Sequence, residues 1–197
     1  VQWRPAAQQS LDTEVIRSAD NAFALEGGIR LLEGNLGRGL IKTSAVAVDR
    51  QMINAPAVVI SDQDELKGLF ERGELDRDCV IVARFQGPAA NGMPELHQLM
   101  PILGVLQDRG HAVALVTDGR LSGASGKVPA AIHVTPEASK GGAIGRLRDG
   151  DLIEMNVATG ELRVLLEDDV LAAREQVAAP ASQTTVGRGL FLSLIHI

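Results

Sequence analysis

The chain has no tyrosine, one tryptophan and one cysteine, and only 3% of its 197 residues are aromatic. Its core must therefore be aliphatic, and a 45% content of AVILMFWYC residues is enough to build one, which excludes a disordered chain. A single cysteine excludes a disulfide framework and points to a reducing compartment, the cytoplasm. It also excludes a cysteine-ligated iron–sulfur cluster held by this chain alone, because such clusters need several thiolates. No apolar run approaches the roughly 20 residues of a membrane helix, and no signal-peptide pattern opens the sequence. An excess of basic residues is missing too: the formal net charge of −6 argues against nucleic acid as a partner.

What is present reads as alternating short strands and helices in one large domain or two small ones. Residues 1–22 show little periodicity and read as a linker or boundary segment. Ile29 to Asn35 and Gly39 to Val46 read as strands, and Ala57 to Ile60 as a short buried one. A helix is expected from Gln63 to Arg72, capped by Ser61 or Asp62 and ended by Gly73. Cys79 to Phe85 is the next strand, with Cys79 a buried, inert thiol. Gln86 to Gly92 reads as a loop. Leu96, Leu99, Met100, Leu103 and Leu106 then fall on one helical face. Pro94 suits the first turn of that helix, but Pro101 would cost about 3 kcal/mol in an interior. A kink near His97, or two short helices, is therefore expected. Ala112 to Val116 and Ala130 to Val134 are strands, Leu152 to Val157 and Leu162 to Leu166 form a hairpin, and Asp168 to Gln176 reads as a helix.

The strand from Ala112 breaks at Thr117-Asp118-Gly119 into a loop with three glycines and two serines, ending at Gly126. Glycines let a backbone approach a ligand closely, and hydroxyls between them supply hydrogen bonds. Because Cys79 to Val116 reads strand–helix–strand, a right-handed crossover between parallel strands is expected. That topology sets the loops after Phe85 and Val116 at one sheet edge and brings Glu95 near Ser122.

Thr117-Asp118-Gly119-Arg120-Leu121-Ser122-Gly123-Ala124-Ser125 resembles a signature of the dihydroxy-acid and 6-phosphogluconate dehydratases. Three further segments are similar to that family in the same order: Glu33 to Gly37, Phe85 to Leu96, and Gly126 to Ala138. The wording of the last two favours the 6-phosphogluconate branch. The resemblance covers roughly residues 23–191 and leaves 192–197 as a divergent tail. It implies an α/β fold with a mixed, β-barrel-like domain of the swivelling type, flanked by helices.

The same resemblance implies an activity and its residues. Such enzymes dehydrate a sugar acid, using Mg²⁺ and an iron–sulfur cluster, expected to be 4Fe-4S. The cluster's cysteines belong to an N-terminal part not in this sequence, so the chain looks like the C-terminal piece of a larger, homodimeric enzyme, inactive alone. Ser122 is implied as the base, and its ordinary acidity requires nearby cations to lower its pKa. Glu95 is implied as a magnesium ligand, and a place in the first turn of a helix would keep it ionised. Asp118 and Arg120 flank the serine, to pair with each other or orient the substrate. Lys127, helped by Ser125, is placed to meet a sugar phosphate. His133, between apolar neighbours, reads as a structural histidine, and His97, His111 and His133 match no tight zinc spacing. The leading expectation is the C-terminal portion of an enzyme making 2-keto-3-deoxy-6-phosphogluconate from 6-phospho-D-gluconate. The alternatives are a dihydroxy-acid or unphosphorylated sugar-acid dehydratase, and a stand-alone, non-catalytic swivelling domain.

Overall fold

The computed structural model describes residues 3, 5–24, 27–122 and 126–180. Among these, eight strands run in chain order as β1 Ile29–Gly34, β2 Gly37–Lys42, β3 Met52–Ile60, β4 Cys79–Ala83, β5 Val113–Thr117, β6 Ala130–Thr135, β7 Leu152–Asn156 and β8 Glu161–Val164. Four helices accompany them: α1 Gln63–Glu71, α2 Pro88–Asn91, α3 Leu99–Asp108 and α4 Asp168–Ala173. The strands close into a barrel in the order β1-β2-β6-β5-β4-β3-β7-β8. β3, β4, β5 and β6 are mutually parallel, and β1–β2, β2–β6, β3–β7 and β7–β8 are antiparallel. This is the mixed α/β barrel flanked by helices that was expected.

Side chains alternate across each strand, and the central parallel strands β4 and β5 bury both faces. Val80 and Val82 of β4, with Ala114 and Val116 of β5, join Leu32, Ile41, Ile53 and Leu162 in the barrel interior. Their neighbours Cys79, Ile81, Val113 and Leu115 face outward and pack with Leu66 of α1 and Leu99, Leu103 and Leu106 of α3. A strand buried on both sides takes a polar side chain only where that side chain finds a hydrogen-bond partner, and β4, reading Cys-Val-Ile-Val-Ala, is apolar throughout. Helix α1 is started by Asp62, whose side chain accepts from Asp64 N–H at 2.9 Å, while Glu65 returns to Asp62 N–H at 2.8 Å.

The helix expected around Leu96 forms only from Leu99 and is a single one, so neither the kink near His97 nor a pair of short helices is found in that stretch. α2 occupies the stretch read as a loop, and α3 starts at Leu99. Pro101 thereby falls in the first turn, where its missing N–H leaves no hydrogen bond unmade. Helix α4 ends at Ala173, short of Gln176, and Arg174 then forks onto Asp151 with N–O distances of 2.5 and 2.9 Å. Every described residue from 3 to 24 is exposed. No described helix is long and apolar enough to cross a membrane. The tail 192–197 lies outside the described residues.

The barrel closes where β1 meets β8, and Gly34 and Asn35 make the seam. The Asn35 side chain imitates a strand residue: its Nδ2 donates to Val164 O and its Oδ1 accepts from Val164 N–H, both at 2.9 Å. A Cβ on Gly34 would collide with the carbonyl oxygen of Leu162. The Gly34→Ala chain is therefore expected to lose about 1–3 kcal/mol of stability by forcing the seam apart. Urea unfolding of the purified chain measures it; an unchanged midpoint contradicts the seam assignment.

Candidate active site

Parallel neighbours β4 and β5 end in step, Ala83 opposite Thr117, so the loops that follow them leave the barrel side by side. Thr117 locks the two ends: its hydroxyl donates to Ala83 O at 2.7 Å and accepts from Gly119 N–H at 2.9 Å. Asp118 then turns inward and is only 2% exposed. Its carboxylate accepts backbone N–H groups from Gln86 at 2.8 Å, Ala138 at 2.9 Å and Phe85 at 3.2 Å. Burial pushes the Asp118 carboxyl above the usual carboxylate range, the three amides pull it back down, and the nearby Glu137 charge adds to the rise. Three chain segments, after β4, β5 and β6, thus meet on one side chain.

Gly119 has no room for a side chain, since a Cβ there would stand 2.7 Å from the Gln86 Cβ and 3.2 Å from a Leu96 methyl. Arg120 follows and forms an isolated parallel bridge with Glu95. Its Nε donates to Met93 O at 2.9 Å, and its guanidinium lies 3.2 Å from Glu95 Oε2. The other Glu95 oxygen, Oε1, accepts from Ser122 N–H at 2.7 Å. Glu95 and Ser122 are thus brought together as the crossover topology predicted. Two local expectations are corrected. Glu95 is in an extended bridge ahead of α3, not in a helical first turn, so no helix dipole acts on it. Arg120 pairs with Glu95, not Asp118, because Asp118 points into the barrel end while Arg120 is exposed.

A cavity of about 220 Å³ opens beside this loop. It is lined by Leu121 and Ser122, by Leu40 and Lys42 of β2, and by Ile132 and His133 of β6, among others. Lys127 sits apart from it: its Nζ lies 2.6 and 2.8 Å from the two carboxylate oxygens of Asp108, at the end of α3. Ser125 lies outside the described residues.

Backbone strain collects here as well. Phe85, Met93 and His133 are the described non-glycine residues with positive φ, at 60°, 54° and 55°. Each is bonded to the segment 118–120: Phe85 N–H to Asp118, Met93 O to Arg120, and His133 N–H to Gly119 O at 2.9 Å. Conformations of this kind cost of order 1–3 kcal/mol each and cluster at functional sites. Sequence reasoning did not foresee Phe85 or Met93. It also missed Glu137, whose carboxylate accepts from Ala89 N–H at 3.1 Å.

Cofactor chemistry is only partly accommodated. Among the described residues, no group of three or more His, Cys, Asp or Glu is placed to hold a metal ion. Glu95 is a single half-buried carboxylate at the cavity loop, which suits one ligand of a magnesium ion, since that ion takes one or two carboxylates with water and substrate oxygens. An iron–sulfur cluster does not fit this chain: Cys79 is fully buried in the apolar layer, with its thiol pushed up to about 11 by that burial.

A family model described as dihydroxy-acid/6-phosphogluconate dehydratase C-terminal matches residues 14–195. The chain belongs to this family. It is 58% identical over 187 residues to a phosphogluconate dehydratase of Escherichia coli (strain K12), covering 95% of this chain and 31% of that protein. A phosphogluconate dehydratase of Pseudomonas aeruginosa is 57% identical over 190 residues, covering 96% of this chain and 31% of its own length. A dihydroxy-acid dehydratase of Wolinella succinogenes is 34% identical over 191 residues, with 95% and 34% covered. The chain spans about a third of the length of these curated relatives.

Asp118→Ala leaves three buried N–H groups without an acceptor, each costing about 1–3 kcal/mol. We expect the variant to lose about 3 kcal/mol or more, with Asp118→Asn intermediate because one acceptor oxygen remains. Chemical denaturation of the purified chain reads both, and a loss below about 1 kcal/mol for Asp118→Ala would refute the role.

Proposed function

We propose that the chain is the C-terminal catalytic portion of a phosphogluconate dehydratase. This hydro-lyase turns 6-phospho-D-gluconate into 2-keto-3-deoxy-6-phosphogluconate and water, a step of the Entner–Doudoroff pathway. The observation that carries the reading is the Ser122–Glu95 contact of 2.7 Å at the mouth of the cavity, in a chain 58% identical to an enzyme of that name. The 34% identity to a dihydroxy-acid dehydratase makes that substrate class the weaker alternative.

In this reading Ser122 removes the proton from the carbon beside the substrate carboxylate, hydroxide leaves the next carbon and takes up a proton to depart as water, and the resulting enol tautomerises to the 2-keto acid. Glu95 holds the Ser122 backbone in place and would serve as the protein ligand of Mg²⁺ from this chain. Positive charge from such an ion, when bound, would stabilise the developing enediolate. Arg120, already on the same loop, offers a guanidinium fork to a carboxylate and a positive field that favours the serine alkoxide. Lys127 and Ser125 remain the proposed phosphate contacts, and Asp118 serves the substrate by fixing the loop. A 4Fe-4S cluster would come from the upstream portion that the relatives possess, with the assembly working in the cytoplasm.

The test joins this chain to the rest of the Escherichia coli relative, replacing the matching 31% of that enzyme. The chimera is expected to dehydrate 6-phosphogluconate, and Ser122→Ala to reduce turnover by at least about 10²-fold. An inactive chimera, or an active one indifferent to Ser122→Ala, would contradict the assignment.

A further inference from the structure

His133 breaks the path of its own strand. Between the pairs Arg38–Thr135 and Leu40–Ile132, one residue of β2, Gly39, stands opposite two of β6, His133 and Val134, so β6 carries a bulge there. His133 lies in that bulge with φ +55°, and its N–H bonds to Gly119 O, just beyond the end of β5. Bulges beside active sites re-aim a side chain, and left-handed backbone at a residue other than glycine is retained where the surroundings enforce it. Here His133 is among the residues that line the Ser122 cavity, and it also borders a second cavity with Met93, Asp118 and Glu137.

The cavity's chemistry shows what such a side chain could meet. Its wall includes Ile29, Leu40, Leu121, Val128 and Ile132, and among its described lining residues the polar side chains are Lys42, Ser122 and His133. A few convergent polar groups in an apolar wall are how a small ligand is oriented. Among the described residues none donates to or accepts from the His133 ring, as a histidine satisfied by its own fold would require; the hydrogen bond from Thr135 goes to the His133 carbonyl.

We infer that His133 contacts the substrate, its imidazole hydrogen-bonding a hydroxyl of the sugar acid held beside Ser122. A neutral imidazole both donates and accepts, as a hydroxyl does, so the pair is matched whichever way the hydroxyl turns. The inference rests on the dehydratase reading.

Glycine separates this role from a structural one, because it prefers the backbone that His133 is forced to adopt. In this chain His133→Gly is expected to leave the urea unfolding midpoint unchanged or higher. In the chimera with the Escherichia coli enzyme it is expected to raise KM for 6-phosphogluconate by about tenfold or more, with partial recovery in His133→Asn, which tolerates the same backbone and keeps a hydrogen-bonding group. A lowered midpoint, or an unchanged KM in a chimera that Ser122→Ala silences, would overturn the inference and leave the dehydratase reading standing. A chimera that Ser122→Ala does not silence would remove that reading, and this inference with it.

Discussion

One buried carboxylate governs this end of the barrel. Asp118 is withdrawn from water, an expensive place for charge, and is made tolerable by three backbone N–H groups aimed at it. Those amides belong to two other segments, Phe85–Gln86 after β4 and Ala138 after β6. The carboxylate can be satisfied only if all three segments come together, so it acts as a locating pin. Once it is seated, Gly119 is clamped between Thr117 and His133, Arg120 reaches Met93 and Glu95, and Ser122 hangs from Glu95. The positive φ values at Phe85, Met93 and His133 are what that convergence costs the backbone.

The family segments divide into two physical kinds when placed on this frame. Glu33 to Gly37 is about closure: Gly34 yields space to the Leu162 carbonyl, and Asn35 completes the β8 ladder with its side chain. The segments around Phe85, Asp118 and Ala138 are about the site. They are distant in sequence and adjacent in space because β4, β5 and β6 are parallel neighbours with their carboxyl ends together. An acidic residue inside such a motif therefore need not touch a ligand, and Asp118 does its work within the fold.

Much of this was legible in the residues. Strand–helix–strand order predicted parallel β4 and β5 and the approach of Glu95 to Ser122, and the hairpin of β7 and β8 followed from its turn residues. Pro101 signalled a disturbed helix, but the chain accommodates it by starting α3 only two residues earlier, at Leu99. Other features were hidden because they depend on register or on distant partners. Nothing local marks the one-residue bulge at His133, since its neighbours Ile132 and Val134 read as an ordinary buried strand. The extended bridge at Glu95 looked like a helix start because Pro94 and the following leucines carry a helical pattern. The Asp118 amides come from residues 32, 33 and 20 positions away, beyond any pattern of local periodicity.

The most direct test of the locating-pin account is native-state hydrogen exchange at the amides of Phe85, Gln86, Ala138 and Ser122. If Asp118 and Glu95 hold these groups as one unit, all four exchange only through the same cooperative opening and share one protection free energy. Independent, rapid exchange at Phe85, Gln86 and Ala138, while the neighbouring strand amides stay protected, would show that the loops are not gathered by the carboxylate and would contradict the account.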